Sequence, residues 1–230
     1  MEAVVIILVA AVVVAGAAIA WYFEHQRTAE LRALAGEMGL SFDRGRDSSA
    51  DERFARFAMF KRGHSRSARN IMRGEVELAG HHVNIELGDF RYTVGSGKDK
   101  KVRKFSYLVA VNPIGDCPET IVRREGLFDR VKGLLGFDDI DFESDEFSRK
   151  FHVSSDDKRF AYDLISQEMM EFMLQDPPSA MELEGELVCM ADGSRRWNAQ
   201  DFRASIRWLG GMLEKWPRHL VDSMASRPRS

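Results

Sequence analysis

Gly95-Ser96-Gly97-Lys98 is the segment of this chain that looks most like a phosphate-binding loop. A Walker loop, however, puts four residues between its first glycine and a Gly-Lys pair, follows the lysine with Ser or Thr, and opens a helix whose N-terminus faces the phosphate. Here Asp99 follows Lys98, and the flanking pattern is that of strands. Ser155-Asp156-Asp157-Lys158 has the S-x-x-K form of a nucleophilic serine. The S-D-N and K-T-G elements that such a serine needs are missing, and a helix start accounts for the motif. Asp138, Asp139, Asp141, Glu143, Asp145 and Glu146 form the densest group of carboxylates. A calcium loop beginning at Asp139 would need Gly at 144 and Glu at 150, where the chain has Ser144 and Lys150. Ile140, Phe142 and Phe147 punctuate these acids, which predicts buried apolar side chains beside a wet acidic edge. His81 and His82 are adjacent, and neighbours in a strand point to opposite faces, so they do not share one ligand. His25, His64, His152 and His219 stand alone, and Cys117 and Cys189 have no metal-like spacing. The expectation is two buried thiols, no catalytic residue, no cofactor and no metal.

What remains is charge. Lys98, Lys100, Lys101, Arg103 and Lys104 put five cations in seven residues. A solvated loop is the bland reading; contact with an anionic lipid surface or with a partner is the functional one, at roughly 1 kcal/mol per cation close to the surface. The whole chain is uneven in the same way. Residues 44–104 hold 15 Lys and Arg against 8 Asp and Glu, whereas residues 125–186 hold 6 against 17. Such asymmetry orients a molecule near a charged surface. Nucleic acid is not an expected partner, because no recognised module accompanies the cations and the net charge is −3.

Residues 3–23 are an uncharged run of Ala, Val, Ile and Leu that closes on Trp21, Tyr22 and Phe23. About 20 such residues cross a hydrocarbon layer of about 30 Å, and an aromatic belt suits the headgroup boundary. A cleaved signal peptide would carry Lys or Arg before the run, where this chain has only Met1 and Glu2. Cations follow the run and none precedes it, which predicts a bacterial inner-membrane protein with one span and a cytoplasmic soluble domain. A periplasmic domain is the alternative, favoured if Cys117 and Cys189 come close enough to bridge.

After this anchor, residues 24–51 read as a juxtamembrane helix and connector, with Leu31, Leu34, Ala35 and Met38 at helical spacing before Gly39. Residues 52–225 read as one soluble α+β domain, with a division into two lobes near residue 136 left open. Phe54, Phe57 and Phe60 predict a short amphipathic helix, and Gly63 to Arg69 a loop. Val76, Leu78, Val83, Ile85 and Leu87 alternate with polar residues around Gly80, the pattern of a hairpin with one wet face. Gly95 to Lys104 reads as a loop before a strand at 105–111, a further strand is expected at 121–124, and a short helix at 125–135. In the second half a strand at Phe151 and Val153 precedes a helix capped by Ser154 and running to Asp176, ended by Pro177-Pro178. A hairpin around Gly185 and a helix capped by Asn198 and stopped by Pro217 complete the order, and the 226–230 tail is expected to be mobile. Runs of neighbouring strands argue for antiparallel sheets covered by helices on one face.

The anchor together with LRALAGEMGLSF, RYTVGSGKDKKVRKFSYLVAV, DDIDFESDEFSRKFHV and WLGGMLEKW resembles a group of uncharacterised bacterial single-pass membrane-anchored proteins. That resemblance implies architecture and a bacterial source, and carries no site residues. The expected function is therefore a membrane-tethered cytoplasmic interaction module. It would hold the lipid bilayer through residues 3–23 and bind a protein partner, itself, or the anionic leaflet. The alternative is a membrane-bound, hydrolase-like enzyme with a site assembled from scattered residues.

Overall fold

The computed structural model describes residues 2–124, 140–178, 180–191, 193 and 195–225. The first element is a helix of 36 residues, α1 (Glu2–Glu37), about 54 Å long at 1.5 Å per residue. Its two halves differ completely. Residues 3–23 are exposed on every side, whereas Thr28, Leu31, Leu34 and Ala35 are buried against the domain. This is a helix long and apolar enough to cross a membrane, continuous with one packed on a sheet. Gly39 ends it at φ 68°, a left-handed turn that glycine adopts without strain.

Eight strands form one antiparallel sheet in the order β1-β2-β3-β4-β8-β7-β5-β6. They are β1 (Ser41–Asp43), β2 (His64–Leu78), β3 (His81–Val94), β4 (Lys101–Val111), β5 (Cys117–Arg124), β6 (Phe151–Ser155), β7 (Ala180–Gly185) and β8 (Leu187–Met190). Every pairing is antiparallel, both in the consecutive hairpins and between strands distant in sequence, β4 with β8 and β5 with β7. The fold is thus α+β, a long N-terminal apolar helix followed by an antiparallel sheet with helices.

Alternation sends Ile85, Leu87, Leu108, Val122, Val153 and Leu183 to one face. There they meet Leu31 and Leu34 of α1, Phe147 of α3 (Asp145–Lys150), α5 (Gln167–Gln175), α6 (Ala199–Glu214) and α7 (Arg218–Ala225). The other face is not bare. Phe54 just after α2 (Ala50–Arg53), Phe57, and Phe60 in a 3-10 turn (Ala58–Lys61) pack on Phe90, Phe105 and Tyr107 of β3 and β4, so the expected single helix through the three rings is two short turns. Helical cover on one face alone, the expectation, is corrected by this aromatic cap.

Five local expectations also change. His64 to Arg69 is strand rather than loop, and β4 begins at Lys101, so Lys101, Arg103 and Lys104 belong to a strand. Asp157, not Ser154, caps α4 (Lys158–Leu164), its side chain accepting from the Phe160 amide at 3.0 Å. Ser166 caps a separate α5, so the apolar run to Asp176 is two helices; its single-helix pattern hides a one-residue cap. Pro217 ends α6 but is followed at once by α7. The helix expected at 125–135, the boundary near 136 and the tail at 226–230 lie outside the described residues.

Candidate functional site

The docked half of α1 is held by a carboxylate. Asp89 on β3 is 6% exposed and accepts four hydrogen bonds. Arg27 donates two, from Nε at 2.7 Å and Nη2 at 2.5 Å. Ser106 Oγ on β4 donates at 2.7 Å and Asn70 Nδ2 on β2 at 3.2 Å. Asn70 in turn accepts from Thr28 Oγ1 at 3.1 Å, and Ser106 Oγ accepts from the Trp197 amide at 2.9 Å. The cluster therefore ties α1, three strands and the segment entering α6. One turn nearer the N-terminus, Glu24 accepts from Lys104 Nζ at 2.7 Å and from Arg196 Nη1 at 2.9 Å. Burial raises the Glu24 pKa, but Lys104 and Arg196 outweigh it, and the net shift is downward.

A bulge in β2 makes this arrangement. Arg69 lies opposite Asp89 while Met72 lies opposite Leu87, so β2 spends one residue more than β3 over the same stretch. The extra residue lets two successive side chains, Arg69 and Asn70, serve the helix-bearing face. Asn70 takes φ 49°, a left-handed conformation asparagine tolerates.

The result is a cleft of about 140 Å³ whose lining includes Glu24, Arg69, Asp89, Arg91, Lys104 and Arg196. Both acids are already engaged, Asp89 by Arg27 and Glu24 by Lys104 and Arg196. Arg69 is exposed and Arg91 half-buried, and among the described residues neither makes an ion pair or side-chain hydrogen bond. The cleft thus presents unneutralised positive charge.

The five cations singled out by sequence divide around it. Lys104 lies opposite Arg91 and lines the cleft; Lys101 and Arg103 extend along β4, and Lys98 and Lys100 sit in the hairpin turn, all exposed. Direction matters here. Three residues up α1, from Arg27 to Glu24, the contacts move two residues along β4, from Ser106 to Lys104. The β3–β4 hairpin therefore runs alongside α1 toward its apolar half. From Lys104 to Lys101 it extends on the order of 10 Å further, at about 3.3 Å per residue. Val102, 45% exposed, stands on that stretch among the cations.

Elsewhere, Asp47, Glu86 and Glu182 are matched to arginines. The largest-volume clefts include one of about 450 Å³ on the sheet, lined in part by Arg53, Phe54, Arg73, Glu86, Val111 and Leu187. Glu86 accepts from Arg73 Nε at 2.7 Å and from Tyr107 Oη at 2.7 Å. Burial, then Glu86, pushes the Tyr107 phenol well up. Asp47 bridges Arg53 at 2.9 Å and Arg73 at 3.1 Å. Burial would raise its pKa, but bonds from the Ser49 side chain and amide and from Arg53 prevail, and it falls to about 2. The sign of the pH effect follows: a carboxyl depressed from 3.8 to about 2 stabilises the fold above pH 4 and loses that contribution as pH falls toward 2. Unfolding midpoints across that window should drop for the native chain, and Asp47→Asn should show a shallower drop.

The acidic run does not converge. Asp141, Glu143, Asp145 and Glu146 are exposed, Glu146 pairs with Lys150, and Phe147 is buried; Asp138 and Asp139 lie outside the described residues. Glu119 is raised by burial and by Glu184, Glu182 and Asp156, while Glu182 itself is paired with the buried Arg123. Cys117 and Cys189 form no disulfide with each other; both are buried and belong to the cores on opposite faces of the sheet. Among the described residues no three His, Cys, Asp or Glu side chains are grouped as a metal ion would need.

No protein-family model matches the chain, and no curated protein matches it in sequence. Among solved structures, the crystal structure of the mycobacterial trehalose monomycolate transport factor A, TtfA, is similar in fold. The TM-score is 0.53 at 14% identity, with 83% of this chain and 96% of that chain covered. At that identity the likeness is one of architecture.

Proposed function

We propose that this protein is a membrane-tethered interaction module that works at the surface of an anionic leaflet. Residues 3–23 of α1 cross a bacterial inner membrane once, and the domain stands on the cytoplasmic side, where the cations that follow the span belong. The observation that carries the reading is the shared direction of α1 and the β3–β4 hairpin. A helix leaving the bilayer and locked to β3 by Arg27 and Asp89 brings Lys98, Lys100, Lys101 and Arg103 down to the headgroups. At roughly 1 kcal/mol for each cation near such a surface, four of them hold the domain against the leaflet without any further partner. The pairing of Asp47, Glu86 and Glu182 with arginines favours this reading over a hydrolase. A protein partner is the second reading, supported by the name of the structural neighbour, a transport factor, and by the cleft beside Val111 and Leu187.

The test uses the full chain in lipid nanodiscs with a spin label on Ser96→Cys. Cys117 and Cys189 are buried, so labelling is selective. On anionic discs the label should be shielded from a water-soluble relaxation agent, and Lys98, Lys100, Lys101 and Arg103 changed together to Gln should expose it. High salt should do the same. Equal exposure on neutral and anionic discs would remove the leaflet reading, and a reporter fused after Ser230 decides the side.

A further inference from the structure

We infer that the cleft between α1, the β2 bulge and Arg196 is a headgroup site, selective for an anionic phospholipid with an accessible phosphate. It rests on the membrane-tethered reading above and adds a defined ligand to it. Three features lead there. The first is chemistry: Arg69 and Arg91 are guanidinium groups with no partner among the described residues, and they stand beside Lys104 and Arg196, which share a single carboxylate, Glu24. Planar guanidinium groups bind phosphate oxygens with two parallel bonds, so such a set favours phosphate over a diffuse negative surface. The second is size. About 140 Å³ is well below the 300–1,000 Å³ of ordinary small-molecule sites, room for a headgroup phosphate but not for acyl chains. The third is place. Glu24, on the rim, directly follows Trp21, Tyr22 and Phe23, the belt that marks the bilayer boundary. A lipid whose phosphate enters the cleft keeps its tails in the bilayer beside α1. A soluble phosphate would gain nothing from this position.

The site differs from the hairpin in kind. Lys98, Lys100, Lys101 and Arg103 are exposed and act through summed charge, whereas the cleft is built by the bulge at Arg69 and Asn70 and held open by the Asp89 cluster.

The experiment is native mass spectrometry of the full chain released from nanodiscs of phosphatidylcholine doped with phosphatidylglycerol or phosphatidic acid. We expect one retained anionic lipid per chain. Arg69→Gln with Arg91→Gln should cut retention about tenfold, the loss of at least one charge-assisted bond, with the thermal midpoint unchanged. The four-fold Gln substitution of the hairpin should leave the retained lipid in place. Retention untouched by the Arg69 and Arg91 changes would overturn the headgroup site while leaving the hairpin reading standing. Equal retention of phosphatidylcholine would overturn its selectivity for anionic lipid. Displacement of the lipid by millimolar inorganic phosphate would assign the cleft to a soluble anion instead.

Discussion

Asp89→Ala should lower the unfolding free energy by about 3–5 kcal/mol, the cost of leaving one member of a buried ion pair alone. Few side chains in the domain carry as many dependants. Its loss strands the Arg27 guanidinium, 13% exposed, and takes an acceptor from both Ser106 and Asn70. The measurement is denaturant unfolding of the full chain in detergent, followed through tryptophan emission; Trp197 sits on Ser106 and reports the cluster directly. A companion variant separates a missing carboxylate from a missing interaction. Arg27→Met with Asp89→Leu removes both charges, and replacing a whole buried pair by apolar groups is often close to neutral. We expect it to recover most of the loss. A deficit below about 1 kcal/mol for Asp89→Ala, within the range of an ordinary exposed pair, would mean that α1 is held by its buried apolar side chains and the Glu24 pairs rather than by Asp89. In the proposed function the consequence is direct, since the hairpin would face the bilayer only while α1 stays latched to β3.

The second large effect is on the opposite face. Phe60→Ala should cost about 3–5 kcal/mol, as deletion of a fully buried ring does when its cavity collapses only in part. Phe60 is 0% exposed and sits within ring-centroid distances of 4.8 Å from Phe90, 5.1 Å from Phe54, 5.2 Å from Tyr107 and 6.0 Å from Phe105. Three of those rings stand on β3 and β4, so the cap is what keeps the hairpin rigid from behind. Aromatic pairs of this geometry add about 0.5–1.5 kcal/mol beyond area burial, which places the value toward the upper part of the range. The same denaturant series measures it, with Phe60→Leu as the control that refills most of the volume. A loss under about 1.5 kcal/mol, the range of a volume-conserving swap, would show a cap that repacks freely.

Local chemistry made much of this legible in one dimension. The long apolar run, the hairpin turn at Gly80, the hairpin around Gly185 and the Asn198 cap are written in residues that touch their neighbours in sequence, and each stands in the structure. The cap even completes a reciprocal pair, Asn198 accepting from the Asp201 amide and Asp201 from the Asn198 amide. Two expectations failed where the pattern was interrupted by a single residue. Ser166 splits an apolar helical stretch without altering its period, and the bulge at Arg69 and Asn70 breaks the alternation that would have marked β2 back to His64. The cations from Lys98 to Lys104 were visible as charge, but Arg69, Arg91 and Arg196 were not distinguishable from any other surface arginine.

That a greasy helix precedes an antiparallel α+β domain can be read from residue order, because hydrophobic period and turn chemistry act over a few residues. Where that helix points and what it carries with it depend on long-range contacts. Arg27 and Asp89 are 62 positions apart and Glu24 and Arg196 are 172 apart. No local propensity encodes such partners; they meet because folding the sheet brings their strands and helix together, and the charge left unmatched is defined only after every other pair has formed.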